Sequence, residues 1–319
     1  MIDATENEQI LSMIVSQRYD ETFGMLAVSS VTASLRVGAS VGAQAGIGAS
    51  SGYAGNLVPF SAGASYEENP TISYVPLRGE QFVARMLAPL SAGQTLLLNR
   101  MSTPEVEVLR LLVRRANGLP NPLYAPRPAP EGFDRFVDLY ARLREQGRLD
   151  VVGSGDARDG GLELLLREDA DGESGDVAEL MRSLGIRRAR ASGSPVAVPL
   201  RFAVGAPWAD GLDLETPSAL EVLKAASAGV RVPGALLSEG LARRLESEAR
   251  REAIRIHSSR LCPRTASVAV VRDGWCFYVD GRDARSKQTF VILRTLIGMR
   301  VDDASPAQGV PILTVPVAR

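Results

Sequence analysis

A strict alternation of apolar and other residues near the start of the chain constrains the fold most. Between positions 31 and 49 every odd position is apolar and every even position is polar or glycine. Successive side chains of a β-strand point to opposite faces, so this period of two predicts one strand with an apolar face and a polar face. Soluble strands rarely exceed about 10 residues, which makes this predicted strand unusually long.

A second strand is predicted after a short loop over 50–57, with its apolar residues at even positions. A single register, with Ala49 opposite Val58 and Val41 opposite Tyr66, aligns both apolar faces over nine residues per strand. A tilted transmembrane β-strand needs about 9–11 residues. The expected lipid-facing residues are Val41, Ala43, Ala45, Ile47, Ala49, Val58, Phe60, Ala62, Ala64 and Tyr66; the expected lumen-facing residues are Ser40, Gly42, Gln44, Gly46, Gly48, Ser61, Gly63 and Ser65.

Two other interpretations of this hairpin are open. It is also consistent with a soluble arm that lies on a neighbouring subunit, and its Gly, Ala and Ser content is also typical of a flexible segment. Two strands alone cannot cross a bilayer, because their outer edges would leave backbone groups without hydrogen bonds in hydrocarbon. Membrane insertion therefore predicts a ring in which many copies share one barrel.

Composition narrows the function classes. The chain has 319 residues, 45% of them hydrophobic and 23% charged, which is ordinary for folded protein. No run approaches the roughly 18 apolar residues of a transmembrane helix. The net charge is −1 and the basic residues are dispersed, so we expect no binding of nucleic acid.

The start of the sequence and the two cysteines bear on the compartment. Residues 1–8 contain no basic region, apolar core or cleavage site of a signal peptide, so an envelope location requires that a signal peptide was removed. Cys262 precedes a predicted hairpin, and Cys276 lies on its second strand, opposite Val271. A disulfide would need the preceding loop to fold back, and we expect two free or buried thiols.

Outside residues 31–75, the pattern predicts helices and strands in a mixed order and thus an α+β fold. The expected divisions are an N-terminal helix in 1–30, the hairpin arm in 31–75, a helical segment and Pro-rich linker in 76–130, a small α/β unit in 131–195 and a C-terminal α+β domain in 196–319. Predicted helices are 5–17, Glu80–Leu87, Pro104–Ala116, Phe133–Gln146, Asp176–Leu184, Pro217–Ala226, Ser238–Arg251 and one capped by Ser286. Predicted strands are Leu149–Val152, Val196–Val204, Ile254–His257, Val268–Val271, Trp275–Val279 and Ile312–Val317, with Asp273-Gly274 as a hairpin turn. An apolar run over Leu162–Leu166 follows the first of these strands after a Gly and Asp loop.

Few residues suggest catalysis. His257 is the only histidine, so any histidine-dependent mechanism would use it, with Asp280 and Asp283 as the nearest candidate carboxylates. A hydrogen-bonded structural histidine and a salt-bridged turn explain the same residues more simply. We expect no enzyme activity, no metal site and no cofactor.

Several segments together resemble a family of largely uncharacterised bacterial envelope lipoproteins. The resemblance covers nearly the whole chain and implies export and outer-membrane association, but it implies no active site. A lipid-accepting N-terminal Cys is absent from this sequence. The segments are Glu8 to Tyr19 (EQILSMIVSQRY) followed by Thr22 to Ala33, Asn69 to Phe82 (NPTISYVPLRGEQF), Ala116 to Leu119 (ANGL), His257 to Arg260 (HSSR), Trp275 to Phe290 (WCFYVDGRDARSKQTF) and Pro311 to Val317 (PILTVPV).

The sequence thus favours a non-enzymatic, ring-forming subunit of a bacterial outer-membrane-associated complex, in which each copy gives one hairpin to a composite barrel or pore. Its expected partners are other copies of itself, outer-membrane lipid and other proteins of the envelope complex. One alternative is a periplasmic enzyme or ligand-binding protein, with a site near His257, whose hairpin is an oligomerisation arm. Another is a soluble accessory subunit of a secretion or export complex.

Overall fold

The structure is a computed structural model of the 319-residue chain. It describes residues 2–21, 25–42, 61–77, 80–101, 105–125, 132–153, 161–167, 175–187, 195–203, 205–242, 244–245 and 252–304. In these residues the fold is mixed α+β, as the sequence predicts. The chain divides into two compact units, one of which contains Leu26–Leu77.

That unit contains two long strands, β1 (Met25–Gly42) and β2 (Ser61–Leu77), which are 18 and 17 residues long. They are hydrogen-bonded to each other as a two-stranded sheet. β1 begins six residues before the predicted alternation. The predicted loop over 50–57 lies outside the described residues, together with the predicted strand residues 43–49 and 58–60 beside it. The directions of the side chains on both strands are also outside the description.

The other unit contains a six-stranded sheet in the order β4-β3-β8-β7-β6-β5. β7 and β8 are parallel, and the other neighbouring strands are antiparallel. Its strands are β3 (Arg115–Ala116), β4 (Leu119–Pro120), β5 (Leu149–Gly153), β6 (Leu162–Leu166), β7 (Val196–Phe202) and β8 (Leu212–Glu215).

Helices α4 (Glu105–Leu112), α5 (Gly132–Glu145) and α6 (Asp176–Ser183) pack together. Their apolar residues and those of one face of the six-stranded sheet form a single hydrophobic core. Phe133 and Phe136 of α5 are almost completely buried in it. The 3.6-residue period of α5 places these side chains on one side of the helix, which explains why this segment is helical.

The same unit contains a three-stranded antiparallel sheet in the order β10-β11-β9. Its strands are β9 (His257–Ser259), β10 (Ala266–Arg272) and β11 (Trp275–Asp280). Three helices pack against one another beside it, namely α1 (Ile2–Arg18), α7 (Ala219–Ser227) and α9 (Ala284–Ala304). The remaining described helices are α2 (Glu80–Leu87), α3 (Ala92–Met101) and α8 (Gly234–Ser238).

The segment after α4 differs from the prediction. The helix ends at Leu112, and Arg115–Ala116 is strand β3, so the predicted helix over Pro104–Ala116 is wrong at its C-terminal end. Asn117 and Gly118 have φ values of 44° and 80°, as the two central residues of a type I′ hairpin turn require. The Asn-Gly pair therefore closes a short hairpin between β3 and β4.

Other predicted elements agree with the structure to different extents. The predicted helix Glu80–Leu87 is confirmed with the same bounds, and the apolar run over Leu162–Leu166 is strand β6. The predicted helix Ser238–Arg251 is wrong at its start, because α8 ends at Ser238 and a turn follows it. Its last residues, 246–251, lie outside the described residues. Helix α3 was not predicted, and the predicted strand Ile312–Val317 lies outside the described residues.

Candidate functional site

The predicted hairpin residues fall into two groups. Some belong to the described strands: Ser40, Val41 and Gly42 in β1, and Ser61, Ala62, Gly63, Ala64, Ser65 and Tyr66 in β2. The others lie outside the described residues: Ala43, Gln44, Ala45, Gly46, Ile47, Gly48, Ala49, Val58 and Phe60. The assignment of lipid-facing and lumen-facing sides therefore stays a prediction.

The end of α1, just before the hairpin in sequence, is held firmly on the three-stranded sheet. The guanidinium of Arg272 lies 4.2 Å from the centre of the Tyr19 ring, and the same side chain forms an ion pair with Glu21. Tyr19 also meets Phe277 edge to face, with 6.2 Å between ring centroids. Burial raises the pKa of the Tyr19 hydroxyl, against the opposing effect of Arg272, so this residue stays neutral.

The segment that follows the hairpin is held by the same group of helices. Phe82 and Met86 bury the inner face of α2, which packs on α7 and α9. At the end of α2, Arg300 of α9 donates hydrogen bonds of 3.0 Å to the carbonyl oxygens of Ala88 and Pro89. The two helices that flank the hairpin in sequence, α1 and α2, thus both contact α7.

His257 lies on β9, the edge strand of the three-stranded sheet, and is half-buried. Its ring stacks on that of Tyr278, its partner across the ladder, with 5.5 Å between centroids. Ser258 pairs with Phe277 instead, and the Ser259 hydroxyl donates to the Leu261 carbonyl oxygen. No serine is hydrogen-bonded to His257 among the described contacts, so the arrangement does not match a nucleophile and its base.

Asp283 caps helix α9. Its two carboxylate oxygens accept hydrogen bonds from the backbone N–H of Ser286, at 3.0 Å, and from the Ser286 hydroxyl, at 2.8 Å. Burial opposes ionisation, but these hydrogen bonds and the nearby charges of Arg255 and His257 outweigh it, so the pKa of Asp283 is lowered. The prediction that Ser286 is the cap is therefore wrong.

Asp280 also has a structural role, because its carboxylate accepts a 2.9 Å hydrogen bond from the backbone N–H of Arg282. The predicted salt-bridged turn is partly different from the structure. Arg285 pairs with Glu107 of α4, and Arg255 pairs with Asp283. The charges of this turn thus join it to other segments, and the geometry favours a structural role for His257, Asp280 and Asp283.

The expectation of two free or buried thiols is wrong, because Cys262 and Cys276 form a disulfide with a Cα–Cα distance of 5.3 Å. Cys276 lies opposite both Val271 of β10 and Ser259 of β9. The chain turns back immediately after β9, where the Ser259 hydroxyl bonds to the Leu261 carbonyl oxygen. This turn supplies the reversal that the sequence did not reveal.

A shallow pocket lies between α4, α9 and the segment around Asn121. Four charged side chains line it: Glu107, Arg110, Glu252 and Arg285. Each of them already forms an ion pair. Glu107 and Arg285 pair with each other. Arg110 pairs with Asp138, and Glu252 pairs with Arg231. The pocket therefore offers no uncompensated charge that would select an ionic ligand.

Asn117 is the main polar residue that sequence reasoning missed. Its side-chain amide donates 3.0 Å hydrogen bonds to the carbonyl oxygens of Leu184, Trp208 and Gly211, and its Oδ1 accepts from the backbone N–H of Asp213. These bonds hold the short connection between the parallel strands β7 and β8. The Asn-Gly pair is a hairpin signal that the sequence shows, but the sequence does not show the distant residues to which the Asn117 side chain bonds.

The described side chains and helices also bear on metal binding and on crossing of a membrane. In the described part of the chain, no cluster of three or more His, Cys, Asp or Glu side chains is arranged to hold a metal ion. Across the same residues, none of the helices combines the length and apolarity needed to span a bilayer. Comparison with protein-family models, with curated proteins and with solved structures found no match.

Proposed function

We propose that this chain is a non-enzymatic, ring-forming subunit of a bacterial outer-membrane-associated complex. Each copy contributes the hairpin formed by β1 and β2 to a composite β-barrel, and the globular unit remains on the aqueous side. The partners are other copies of the same chain, outer-membrane lipid and other proteins of the envelope complex.

One observation carries the proposal. In the part of the chain that the structure describes, strands β1 and β2, which are 18 and 17 residues long, pair only with each other. An isolated two-stranded sheet is marginally stable in water, and its outer edges expose rows of unpaired backbone groups. Identical neighbours satisfy both edges when they are arranged around an axis.

The length of the strands agrees with a membrane role. At about 3.3 Å per residue, the 18 residues of β1 extend for about 60 Å, compared with roughly 30 Å for the hydrocarbon core of a bilayer. A tilted strand of this length would cross the core and extend beyond it. The alternation over 41–49 and 58–66 supplies the apolar outer face and the polar inner face that such a barrel needs.

The disulfide supports a location in the cell envelope. Structural disulfides persist in oxidising compartments, including the bacterial periplasm, and are rare in the cytosol of most bacteria. Cys262 and Cys276 are the only cysteines of the chain, and they are joined. This supports export, as does the resemblance of the sequence to envelope lipoproteins.

The assembly is tested by mass photometry and negative-stain microscopy of the full chain in detergent, beside a variant that lacks residues 40–67. We expect closed rings from the full chain and monomers or small open oligomers from the deletion variant. Monomers of the full chain in both detergent and liposomes would overturn the proposal. Identical rings from both proteins would show that the globular unit assembles without the hairpin.

A further inference from the structure

We propose that the Cys262–Cys276 disulfide is a site of thiol–disulfide exchange with a dithiol oxidoreductase, and that Cys262 is the residue attacked. The inference does not depend on membrane insertion of the hairpin. It rests on the unequal exposure of the two cysteines, on their position beside an edge strand and on the residues around them.

The two halves of the disulfide have different access to solvent. Cys276 is 1% exposed and lies on the central strand β11, whereas Cys262 is exposed in the loop between β9 and β10. A thiolate attacks a disulfide through a mixed-disulfide intermediate, and the outcome depends on which sulfur it reaches. Exposure of Cys262 and burial of Cys276 direct the attack to Cys262.

Two exposed apolar residues lie beside the two cysteines, one across the strand ladder and one next in sequence. Val271 lies directly opposite Cys276 and is 72% exposed, and Leu261, next to Cys262, is 83% exposed. Directly paired residues of antiparallel strands share one face, so Val271 and Cys276 lie on the same side. Val271 and Leu261 thus place exposed apolar side chains beside the disulfide, which a docking protein would cover on binding.

The edge strand and the local charge add to this surface. β9 is the last strand of its sheet, so its outer backbone groups are available in the described structure to an extended partner segment. Arg260 and Arg264 lie two positions before and after Cys262. Their positive charge attracts an anionic thiolate nucleophile to this loop.

The two thiols of the partner supply the two electrons that the exchange needs. The partner thiolate bonds to the sulfur of Cys262, the Cys262–Cys276 bond breaks, and its electron pair leaves on the sulfur of Cys276, which takes a proton from water. The second partner thiol then attacks the partner sulfur of the mixed disulfide and releases Cys262 as a thiolate. Two electrons pass from the partner, which departs as a disulfide, and the reverse steps form the Cys262–Cys276 bond.

Reduction of the disulfide changes the fold only near the bond. The disulfide joins the β9–β10 loop to the centre of the sheet, while β9 itself pairs with β11 over only three residues. The segment before β9 is held separately, by backbone hydrogen bonds between Ile256 and both Gly229 and Arg231. Reduction therefore releases the loop and the end of β9 while the rest of the sheet remains in place.

The test uses the oxidised full chain and a C-x-x-C oxidoreductase whose second cysteine is replaced by serine, so that the mixed disulfide accumulates. We expect a one-to-one adduct in native buffer, which peptide mass spectrometry assigns to Cys262. Leu261→Glu and Val271→Glu are expected to slow its formation about tenfold, as the loss of a modest apolar contact predicts. Val291→Glu, at a valine of α9 that is 58% exposed, is the matched control and leaves the rate unchanged.

Reduction by dithiothreitol separates exchange from unfolding. For an exchange site, the rate rises in proportion to the reductant concentration in native buffer, and the circular dichroism of the protein is retained. An adduct at Cys276, or reduction that occurs only when urea unfolds the chain, would overturn the proposal and leave the disulfide as a structural crosslink.

Discussion

The guanidinium of Arg272 lies 4.2 Å from the centre of the Tyr19 ring and joins the last turn of α1 to the end of β10. Tyr19 lies six residues before β1 begins, and Arg272 immediately precedes the Asp273-Gly274 turn. The same arginine also pairs with Glu21 and Asp273. One side chain thus connects the segment before the hairpin to the sheet that carries the disulfide.

Replacement of Arg272 by Ala is expected to lower the free energy of unfolding by about 1–2 kcal/mol, because a partly buried cation–π contact and its ion pairs are lost. Urea denaturation measures this value. Arg260→Ala is the matched control, since Arg260 lies 4.0 Å from the Trp275 ring but its contact does not involve α1. Hydrogen exchange at the end of α1 should increase in the first variant only. Equal exchange in both would show that Arg272 does not hold this helix.

Replacement of Asn117 by Ala is expected to destabilise the chain by roughly 3 kcal/mol, because three carbonyl oxygens lose their donor and a residue with a Cβ remains at positive φ. Denaturation in urea gives the magnitude. Asn117→Gly is the control that relieves the backbone, so the difference between the two variants measures the conformational part. A loss below about 0.5 kcal/mol in Asn117→Ala would contradict the role assigned to this residue.

These two residues illustrate what the sequence reveals and what it does not. Local signals were sufficient to predict α2 and the pairing of Val271 with Cys276 across the Asp273-Gly274 turn. The same kind of signal at Asn117-Gly118 was overridden by an apparent helical pattern that continued to Ala116. The bonds from Asn117 to Leu184 and Trp208 depend on tertiary packing, which no local pattern encodes.

The candidate site also combines features that local sequence signals predict with features that depend on tertiary packing. The spacing of Cys262 and Cys276 allowed a disulfide only if the loop folded back, and the hydrogen bond from Ser259 to Leu261 belongs to that turn. Asp283, rather than Ser286, caps α9 because the helix starts earlier than its apolar pattern indicates. The two-residue alternation of the hairpin, by contrast, is a property of the sequence itself, and it carries most of the functional proposal.

The lowered pKa of Asp283 predicts a loss of stability in acid. The unfolded chain binds a proton at the ordinary Asp pKa of about 3.9, whereas the folded chain binds it only at lower pH, so acidification favours unfolding. The contribution is complete above about pH 5 and disappears as the pH falls through the lowered pKa of the folded state.

We therefore expect Asp283→Asn to be less stable than the natural chain at pH 6, with a difference that narrows steadily as the pH falls from 5 to 2. Thermal unfolding followed at several pH values checks this. Ser286→Ala removes the hydroxyl hydrogen bond to the carboxylate but keeps the one from the backbone N–H, so it should reduce the same pH dependence only in part. A difference that is constant with pH would mean that Asp283 acts only through its shape as a cap.

The central claim is that the hairpin both closes the assembly and makes it permeable. Ala45 is expected to face lipid and Gln44 to face the lumen, although they are neighbours in sequence. An arginine at mid-depth on the lipid face costs roughly 2–4 kcal/mol per copy, and this cost is repeated around the ring, whereas an arginine in the lumen remains in water. The two substitutions add the same charge to the same segment, so they form a matched pair.

The most direct measurement is the conductance of planar lipid bilayers exposed to the natural chain, to Ala45→Arg and to Gln44→Arg, with the variant lacking residues 40–67 as the negative control. We expect wide, weakly selective channels from the natural chain, no insertion of Ala45→Arg, and channels from Gln44→Arg with selectivity shifted toward anions. Equal behaviour of the two arginine variants, or no conductance from rings of the natural chain, would contradict it and identify the hairpin as an oligomerisation arm.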